Sequence, residues 1–222
     1  MTVLITGANR GIGAELARRY VARGARVIGT TRGATPPDLQ DAVEWKTLDV
    51  TDPASFAALA RDLDGCQIDL LICNAGVYLD KGHSLAGGYG ADLWAGTFAT
   101  NVTGVFLTVQ TLLPNLQCGD TARVAVIASI MGSSTRAPGG SYIYRASKAA
   151  AVNLARNLAA DLDGLGIAVG AYHPGWVQTD MGGTAAEIDV ETAANGLLAR
   201  FDALSPETAG CFLSYDGTEL PF

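Results

Sequence analysis

Short runs of apolar and β-branched residues alternate along this chain with longer stretches of helical spacing. Some short runs, such as 70–73 and 124–128, are apolar throughout instead of alternating with polar residues. Strands that helices cover on both faces have this pattern. It predicts a parallel, doubly wound sheet of seven strands. The predicted strands are Thr2–Thr6, Arg26–Thr30, Glu44–Leu48, Asp69–Cys73, Arg123–Ala128, Ile167–Tyr172 and Cys211–Tyr215.

Helical spacing predicts five helices between these strands. They are Gly11–Arg23, Pro53–Leu63, Ala91–Leu116, Tyr142–Leu162 and Glu187–Phe201. Asp52 is suited to cap the second helix, with Pro53 in its first position. No internal repeat, linker or composition shift divides the 222 residues, so we expect a single α/β domain over 1–222. The loosest segments are expected at 80–90, which is rich in glycine, and at 182–186.

Composition excludes several classes of protein. Hydrophobic residues make up 49% of the chain and the net charge is −7, which argues against disorder and against nucleic acid or an anionic membrane as partner. The four cysteines form no C-x-x-C pair and there are only two histidines, so we expect no metal site. No run approaches the ~18 apolar residues of a membrane span, and the stretch before Gly7 lacks the features of a signal peptide. We therefore expect a cytoplasmic protein.

A glycine-rich turn follows the first strand and opens directly into a helix. The sequence TGANRGIG at 6–13 has the spacing G-x-x-x-G-x-G, with Gly7, Gly11 and Gly13 as its glycines. Glycines let the backbone approach a pyrophosphate, and the free N–H groups and positive dipole end of the helix favour its charge. This turn predicts a nucleotide site, although a turn of this kind can also serve packing alone.

The end of the second strand bears on the choice of nucleotide. An NAD site normally has an acidic residue there, whereas this chain has Arg32. A guanidinium at that position can grip a 2′-phosphate, and Arg10 can reach the same group from the phosphate loop. NADP(H) is favoured over NAD(H), which remains possible because both arginines could simply be solvated.

One tyrosine and one lysine are placed to share a site. Tyr144 and Lys148 lie one helical turn apart on the same face, whereas the position four residues after Tyr142 is Ala146. A phenol with a pKa of about 10 becomes a useful acid/base only when positive charge stabilises the phenolate. Lys148 can supply part of that stabilisation, and an oxidised nicotinamide can supply more. Such a pair is also common in helices with no catalytic role.

Six motifs in order across the whole chain resemble the short-chain dehydrogenase/reductase family. They are TGANRGIG at 6–13, Asn74-Ala75-Gly76, Asn101, Ser129, Tyr144-x-x-x-Lys148 and Pro174-Gly175. The resemblance implies a Rossmann-type fold and a catalytic set of Asn101, Ser129, Tyr144 and Lys148. Tyr144 would be the general acid/base, Ser129 would bind the substrate oxygen, Lys148 would also hold the nicotinamide ribose, and Asn101 would bind a water that leads to the lysine.

The same resemblance implies the residues that hold the cofactor. Asn9 and Ile12 would join the three glycines and Arg10 at the phosphates, and Asp49 and Val50 would contact adenine. Asn74, Ala75 and Gly76 would lie under the ribose. Pro174, Gly175, Val177 and Thr179 would cover the nicotinamide.

The chain departs from typical members of the family behind Thr179. Only 180–186 remain before the last helix, where a longer substrate lid is usual, so we expect an open pocket. The short chain and its ending, SYDGTELPF, resemble the compact branch of C-factor-like signalling proteins and small carbonyl reductases. Arg136 and His83 could line the substrate mouth or be ordinary surface residues.

The resemblance implies an NADP(H)-dependent carbonyl reductase or alcohol dehydrogenase acting on a small-molecule substrate, in a homodimer or homotetramer. The alternatives are a signalling or regulatory protein that binds the cofactor with little turnover, and a lyase, epimerase or dehydratase on the same fold.

Overall fold

The strands of the sheet are all parallel. The computed structural model describes residues 1–119 and 121–222. Its strands are β1 (Thr2–Ile5), β2 (Arg26–Thr31), β3 (Glu44–Thr47), β4 (Leu70–Cys73), β5 (Arg123–Ile127), β6 (Ala168–His173) and β7 (Phe212–Ser214). They form one sheet in the order β3-β2-β1-β4-β5-β6-β7. The predicted seven-stranded Rossmann-type α/β fold is confirmed, and the strand order reverses between β1 and β4.

Helices cover both faces of the sheet. They are α1 (Gly11–Ala22), α2 (Pro53–Asp62), α3 (Ala91–Phe98), α4 (Gly104–Leu116), α5 (Tyr142–Leu162) and α6 (Val190–Asp202). Apolar side chains of α2, α4 and α5 form one core cluster with the sheet, and those of α1 and α6 form a second cluster on the opposite face. This double cover explains why the central strands are apolar throughout.

Two of the predicted helices differ from the structure by more than one residue. The single helix expected over Ala91–Leu116 is interrupted by a π-helical turn at Ala99–Thr103, so that α3 and α4 are separate elements. The wider turn changes the direction of side chains along the helix, and it lets Asn101 face the loop after β4. The last helix begins at Val190 instead of Glu187, because the Asp189 carboxylate accepts a hydrogen bond from the Thr192 N–H and caps the helix there.

The buried Thr6 hydroxyl joins the loops that follow the two central strands. Its oxygen accepts hydrogen bonds from the N–H groups of Asn74 at 3.0 Å and Ala75 at 3.1 Å. In return, the Asn74 amide donates to the carbonyl oxygens of Thr6 and Gly7, both at 3.0 Å. The phosphate loop and the loop after β4 are therefore held together at the carboxyl edge of the sheet.

This joint gives a testable stability prediction. Thr6→Val keeps the side-chain shape of a residue that is only 2% exposed. It removes the acceptor of the Ala75 N–H and one of the two acceptors of the Asn74 N–H, which also bonds to the Ile72 carbonyl at 3.0 Å. We expect the free energy of unfolding to fall by about 1–3 kcal/mol, measured by urea denaturation. Thr47→Val, at an exposed position on the edge strand β3, is the matched control and should change it by no more than about 0.5 kcal/mol. Equal effects of the two substitutions would contradict this account of the joint.

Candidate functional site

A cavity of about 500 Å³ lies at the carboxyl edge of the sheet, where the strand order reverses between β1 and β4. In doubly wound sheets this is where ligands bind. Most predicted cofactor residues line it: Gly7, Asn9, Arg10, Gly11, Ile12, Gly13, Arg32, Val50, Asn74, Ala75, Gly76, Tyr144, Lys148, Pro174 and Thr179. One cavity thus brings together the phosphate loop, the end of β2 and the tyrosine–lysine pair.

Five predicted site residues do not line this cavity: Asp49, Asn101, Ser129, Gly175 and Val177. Asp49 lies behind Arg32, whose guanidinium is 3.5 Å from the Asp49 carboxylate. Gly175 has a φ of +89°, and a Cβ there would come within 2.5 Å of Ile188, so the turn after β6 requires glycine. Val177 is buried beneath this turn, where it pairs with Ile188.

The N-terminus of α1 is suited to bind a pyrophosphate. Its N-cap residue, Arg10, makes no side-chain capping bond, and the first turn holds no acidic residue. The free N–H groups of this turn therefore keep their capacity for an anion. Gly13 packs so closely on the Gly7 carbonyl that a Cβ would clash with it, which fixes the tight entry into the helix.

Both arginines expected at the 2′-phosphate line the cavity and make ion pairs with carboxylates, Arg10 with Asp180 of the cavity wall and Arg32 with Asp49 outside it. Arg10 bonds to Asp180 at 2.6 Å, and both side chains are well exposed. Arg32 lies 3.5 Å from Asp49 and is likewise exposed. Exposed pairs of this kind contribute little to stability, so either arginine can exchange its carboxylate for a phosphate at small cost.

The segment after β6 is short and lacks a helix before α6, as expected for a small lid. Asp180 and Met181 belong to the cavity wall. Besides the Arg10 pair, the Lys81 ammonium donates a hydrogen bond of 2.8 Å to the Met181 carbonyl. The lid is thereby fastened to the phosphate loop on one side and to the segment after β4 on the other.

Tyr144 is buried at the inner end of the cavity. Its ring stacks on Tyr78 with a centroid separation of 4.2 Å and an angle of 19° between the planes. Burial raises the pKa of the Tyr144 phenol to about 12, and interaction with the Ser129 hydroxyl lowers it only in part. The chain alone therefore keeps the phenol protonated at neutral pH, and further positive charge is needed to make it a base.

Lys148 lies beside this phenol. Its Nζ is 5.7 Å from the centre of the Tyr144 ring and donates a hydrogen bond of 2.8 Å to the Ile127 carbonyl. Burial lowers the pKa of Lys148 to about 8, so the ammonium is mostly charged at pH 7. A cation is thus held against the tyrosine within the protein interior.

Asn101 braces the loop after β4. Its side-chain oxygen accepts from the Val77 N–H at 2.8 Å, and its amide donates to the Val77 carbonyl at 2.9 Å and to Ser147 at 3.0 Å. A Cβ on Gly76 would lie 3.4 Å from the Asn101 oxygen and 3.6 Å from the Lys148 ammonium, so the asparagine and the lysine flank the same backbone position. The side chain of Ser129 accepts a hydrogen bond from the Met131 N–H at 3.1 Å.

Sequence reasoning missed Tyr78 and Asp80. Asp80 stands at the start of a segment expected to be loose, yet it is fully buried and hydrogen-bonded to the start of α5. Neither residue belongs to a periodic pattern. Their position a few residues after Asn74-Ala75-Gly76 was the one available signal.

Arg136 and His83 do not line the main cavity. Arg136 lines a second hollow of about 350 Å³ with Met131 and Arg145. His83 is exposed, and its ring lies 5.9 Å from that of Tyr89. Other wall residues of the main cavity that the sequence did not single out include Leu48, Val77, Thr100, Gln178 and Met181.

Within residues 1–119 and 121–222, no group of three or more His, Cys, Asp or Glu side chains is arranged to hold a metal ion. None of the helices in the same ranges has the length and apolar character needed to cross a membrane.

Comparisons with known proteins agree with this geometry. Residues 1–189 match the model of the short chain dehydrogenase family. The chain is 41% identical to C-signal of Myxococcus xanthus over 169 residues, which is 74% of this chain and 99% of that protein. It is 37% identical over 229 residues to 1-hydroxy-2-glutathionyl-2-methyl-3-butene dehydrogenase of a Rhodococcus species, covering 99% of this chain and 98% of the relative.

A solved structure shows the same similarity. The NADPH-bound carbonyl reductase from chicken fatty liver superimposes with a TM-score of 0.89 at 30% identity, covering 100% of this chain and 98% of that one.

The buried lysine gives a pH-dependent prediction. Its pKa in the folded protein, about 8, lies below the ordinary value of 10.5, so the unfolded chain binds the proton more tightly. This destabilisation is fully present below pH 8 and disappears as the pH rises through 10.5. We expect Lys148→Met to raise the free energy of unfolding by up to about 3 kcal/mol at pH 7, and by much less at pH 10.5.

Denaturant unfolding of both proteins at pH 7, 9 and 10.5 measures this difference. Lys46→Met is the control, because Lys46 is an ordinary strand lysine paired with Glu44. A Lys148→Met protein that is less stable than its parent at pH 7 would show that burial of the ammonium costs nothing.

Proposed function

We propose that this chain, which belongs to the short-chain dehydrogenase family, is an NADP(H)-dependent carbonyl reductase that also oxidises the corresponding alcohols. The observation that carries the proposal is the burial of Tyr144 and Lys148 side by side at the inner end of the cavity. A protein that only bound the nucleotide could use the lysine for the ribose, but it would have no need of a buried phenol beside that lysine, whose hydroxyl is costly to bury. Ser129 adjoins the same phenol and completes a set suited to proton transfer.

The residues of the cavity fit the cofactor. The N-terminus of α1 would hold the pyrophosphate, and Arg10 and Arg32 the 2′-phosphate. Val50, with Asp49 behind it, would contact adenine, and Asn74, Ala75 and Gly76 would contact the ribose. Pro174 and Thr179 would cover the nicotinamide from a turn that Gly175 and Val177 shape. The bound nicotinamide supplies the hydride for reduction and accepts it in oxidation.

The chain's own groups handle the proton. In reduction, the Tyr144 hydroxyl donates its proton to the substrate oxygen while the Ser129 hydroxyl donates a hydrogen bond to the same oxygen. The Lys148 ammonium favours the phenolate that remains, and it would also hold the ribose of the bound cofactor. Asn101 holds the backbone beside Lys148 and thereby keeps the lysine in reach of the phenol.

The cofactor preference is testable because the end of β2 carries Arg32 instead of an acid. We expect NADPH to bind at least tenfold more tightly than NADH, a difference of about 1.4 kcal/mol, and Arg32→Asp to narrow or reverse this difference.

A second variant tests Arg10. Asp180→Asn should lower the Kd for NADPH but not that for NADH, because it frees Arg10 from its ion pair. Fluorescence titration measures each Kd, with the exposed Arg61→Asp on α2 as control. Tighter binding of NADH by the parent would refute the preference.

The role of Tyr144 is tested by removing one hydroxyl. We expect Tyr144→Phe to reduce carbonyl reduction by 10² or more while the Kd for NADPH changes by less than about tenfold. Lys148→Ala should impair both, since it removes the charge and the ribose contact. Steady-state assays of NADPH consumption with a panel of aldehydes and ketones give the measurement.

Tyr142→Phe is the matched control, because Tyr142 is exposed on the same helical turn and has Ala146 in the position of the lysine. It should leave the rate unchanged. A Tyr144→Phe variant with full activity would place the proton transfer elsewhere.

A second candidate function rests on the similarity to C-signal. In that case the chain would bind the nucleotide with little turnover and act as a signalling or regulatory protein. Tight NADPH binding together with no consumption across a broad carbonyl panel would favour this alternative. An activity without net oxidation of the cofactor would instead indicate a lyase, epimerase or dehydratase.

A further inference from the structure

The helix that carries Tyr144 and Lys148 is capped by a distant residue. Its own N-cap, Ser141, makes no side-chain capping bond and adopts a φ of +47°, which is strained for serine. The Asp80 carboxylate takes over the cap. One oxygen accepts from the Ile143 N–H at 2.9 Å and the other from the Tyr144 N–H at 3.1 Å, across 63 and 64 residues of sequence. The Asp80 carboxylate therefore binds the backbone N–H of the catalytic tyrosine itself.

The ring of the same tyrosine is held from the same segment. Tyr78, two residues before Asp80, stacks on Tyr144 with ring centroids 4.2 Å apart. The Tyr78 hydroxyl is hydrogen-bonded to Ser141, at the start of α5. Tyr78 and Asp80 thus fix the ring, the backbone and the entry residue of the helix together.

The Asp80 carboxylate has opposite effects on the start of α5 and on the Tyr144 phenol. The side chain is fully buried and, in the part of the chain that the structure describes, forms no ion pair. A buried carboxylate is costly, and the positive end of the α5 dipole and two N–H bonds offset that cost. The same charge repels a phenolate and contributes to the raised pKa of Tyr144. The Asp80 charge therefore hinders ionisation of the same phenol whose backbone the carboxylate holds in place.

We propose that Asp80 and Tyr78 are positioning residues, which hold the Tyr144 hydroxyl in the orientation that proton transfer to the substrate oxygen requires. This inference rests on the proposed reductase function. Neither side chain lines the main cavity, so they act through Tyr144 and not on the substrate or cofactor.

The groups that face this assembly determine what a substitution measures. Tyr144 is approached by Tyr78 and Asp80 from the segment after β4, by Ser129 from the end of β5, and by Lys148 from its own helix. Tyr89 and Tyr142 lie on the outer side of Asp80. Removing the Asp80 charge therefore removes a nearby anion and leaves the Lys148 cation in place, so the pKa of Tyr144 should fall.

Asp80→Asn is the principal test. The amide keeps one acceptor oxygen but places an NH₂ group against the second N–H, so the cap is half lost. We expect kcat for carbonyl reduction to fall by about tenfold or more, with KM for the carbonyl and the Kd for NADPH each changing less than threefold. In alcohol oxidation with NADP⁺, where Tyr144 acts as the base, the rising limb of the pH profile should move to lower pH.

A measurement independent of turnover accompanies these assays. Hydrogen exchange should become faster at the Ile143 and Tyr144 amides of Asp80→Asn, and remain unchanged in the last two turns of α5. The Tyr144 phenol, followed as the difference between spectrophotometric titrations with and without Tyr144→Phe, should ionise at lower pH in Asp80→Asn.

Matched variants separate positioning from folding. Asp52→Asn alters another helix-capping aspartate, whose carboxylate accepts from the Ala54 N–H at the start of α2, and it should leave kcat and the pH profile unchanged. If Asp80→Asn does not fold, Tyr78→Leu tests the stacking contact and should lower kcat without weakening NADPH binding. Tyr78→Phe keeps the stack and should retain most of the rate.

The possible outcomes distinguish the two proposals. A parent protein without carbonyl reduction would overturn the reductase function. An active parent whose Asp80→Asn and Tyr78→Leu variants keep kcat, the pH profile and the exchange rates at Tyr144 would overturn the positioning role alone. A uniform loss of stability and of NADPH binding, with an unchanged kcat for the folded fraction, would also overturn it.

Discussion

The structure depends on holding a lysine cation and a phenol together inside the protein. Lys148 and Tyr144 are both buried, and burial favours the neutral form of each. It lowers the pKa of Lys148 to about 8 and raises the pKa of Tyr144 to about 12. Such a pair is unfavourable unless its surroundings fix it. The Ile127 carbonyl binds the ammonium, Tyr78 supports the ring, and Asp80 caps the helix from which both side chains extend. The last residue of β5 and the segment after β4 supply these contacts.

The hydrogen bonds between Thr6 and Asn74 hold the loop after β1 against the loop after β4. Thr6 and Asn74 bind each other's backbone, which sets the phosphate loop against the start of the segment that continues to Tyr78 and Asp80. Asn101, turned inward by the π-helical segment, holds the backbone of Val77, which lies between Asn74 and Tyr78. The nucleotide end of the cavity and the tyrosine end are therefore parts of one hydrogen-bonded framework, and the fold positions both through short connections.

Much of this arrangement could be predicted from the sequence because it follows from local patterns. Apolar strands, the glycine-rich turn and the four-residue spacing of Tyr144 and Lys148 specify the sheet, the phosphate loop and the shared helix face. The π-helical turn and the Asp80 cap could not be predicted. Each depends on a bond between segments far apart in the sequence. Asp80 also stands in a glycine-rich stretch that is typical of a surface loop. The rise in the pKa of Tyr144 could not be predicted without the fold either, because it depends on burial and not on residue spacing.

In the proposed reaction, the buried pair moves a proton while hydride passes between the nicotinamide and a carbonyl carbon. The most direct measurement uses NADPH that carries deuterium at the transferred position of the nicotinamide, with aldehydes and ketones, and mass spectrometry of the products. We expect alcohols with one deuterium on the carbinol carbon, formed in equal amount to the NADP⁺ produced. Alcohol without deuterium, or no alcohol above the protein-free control for any carbonyl, would contradict it.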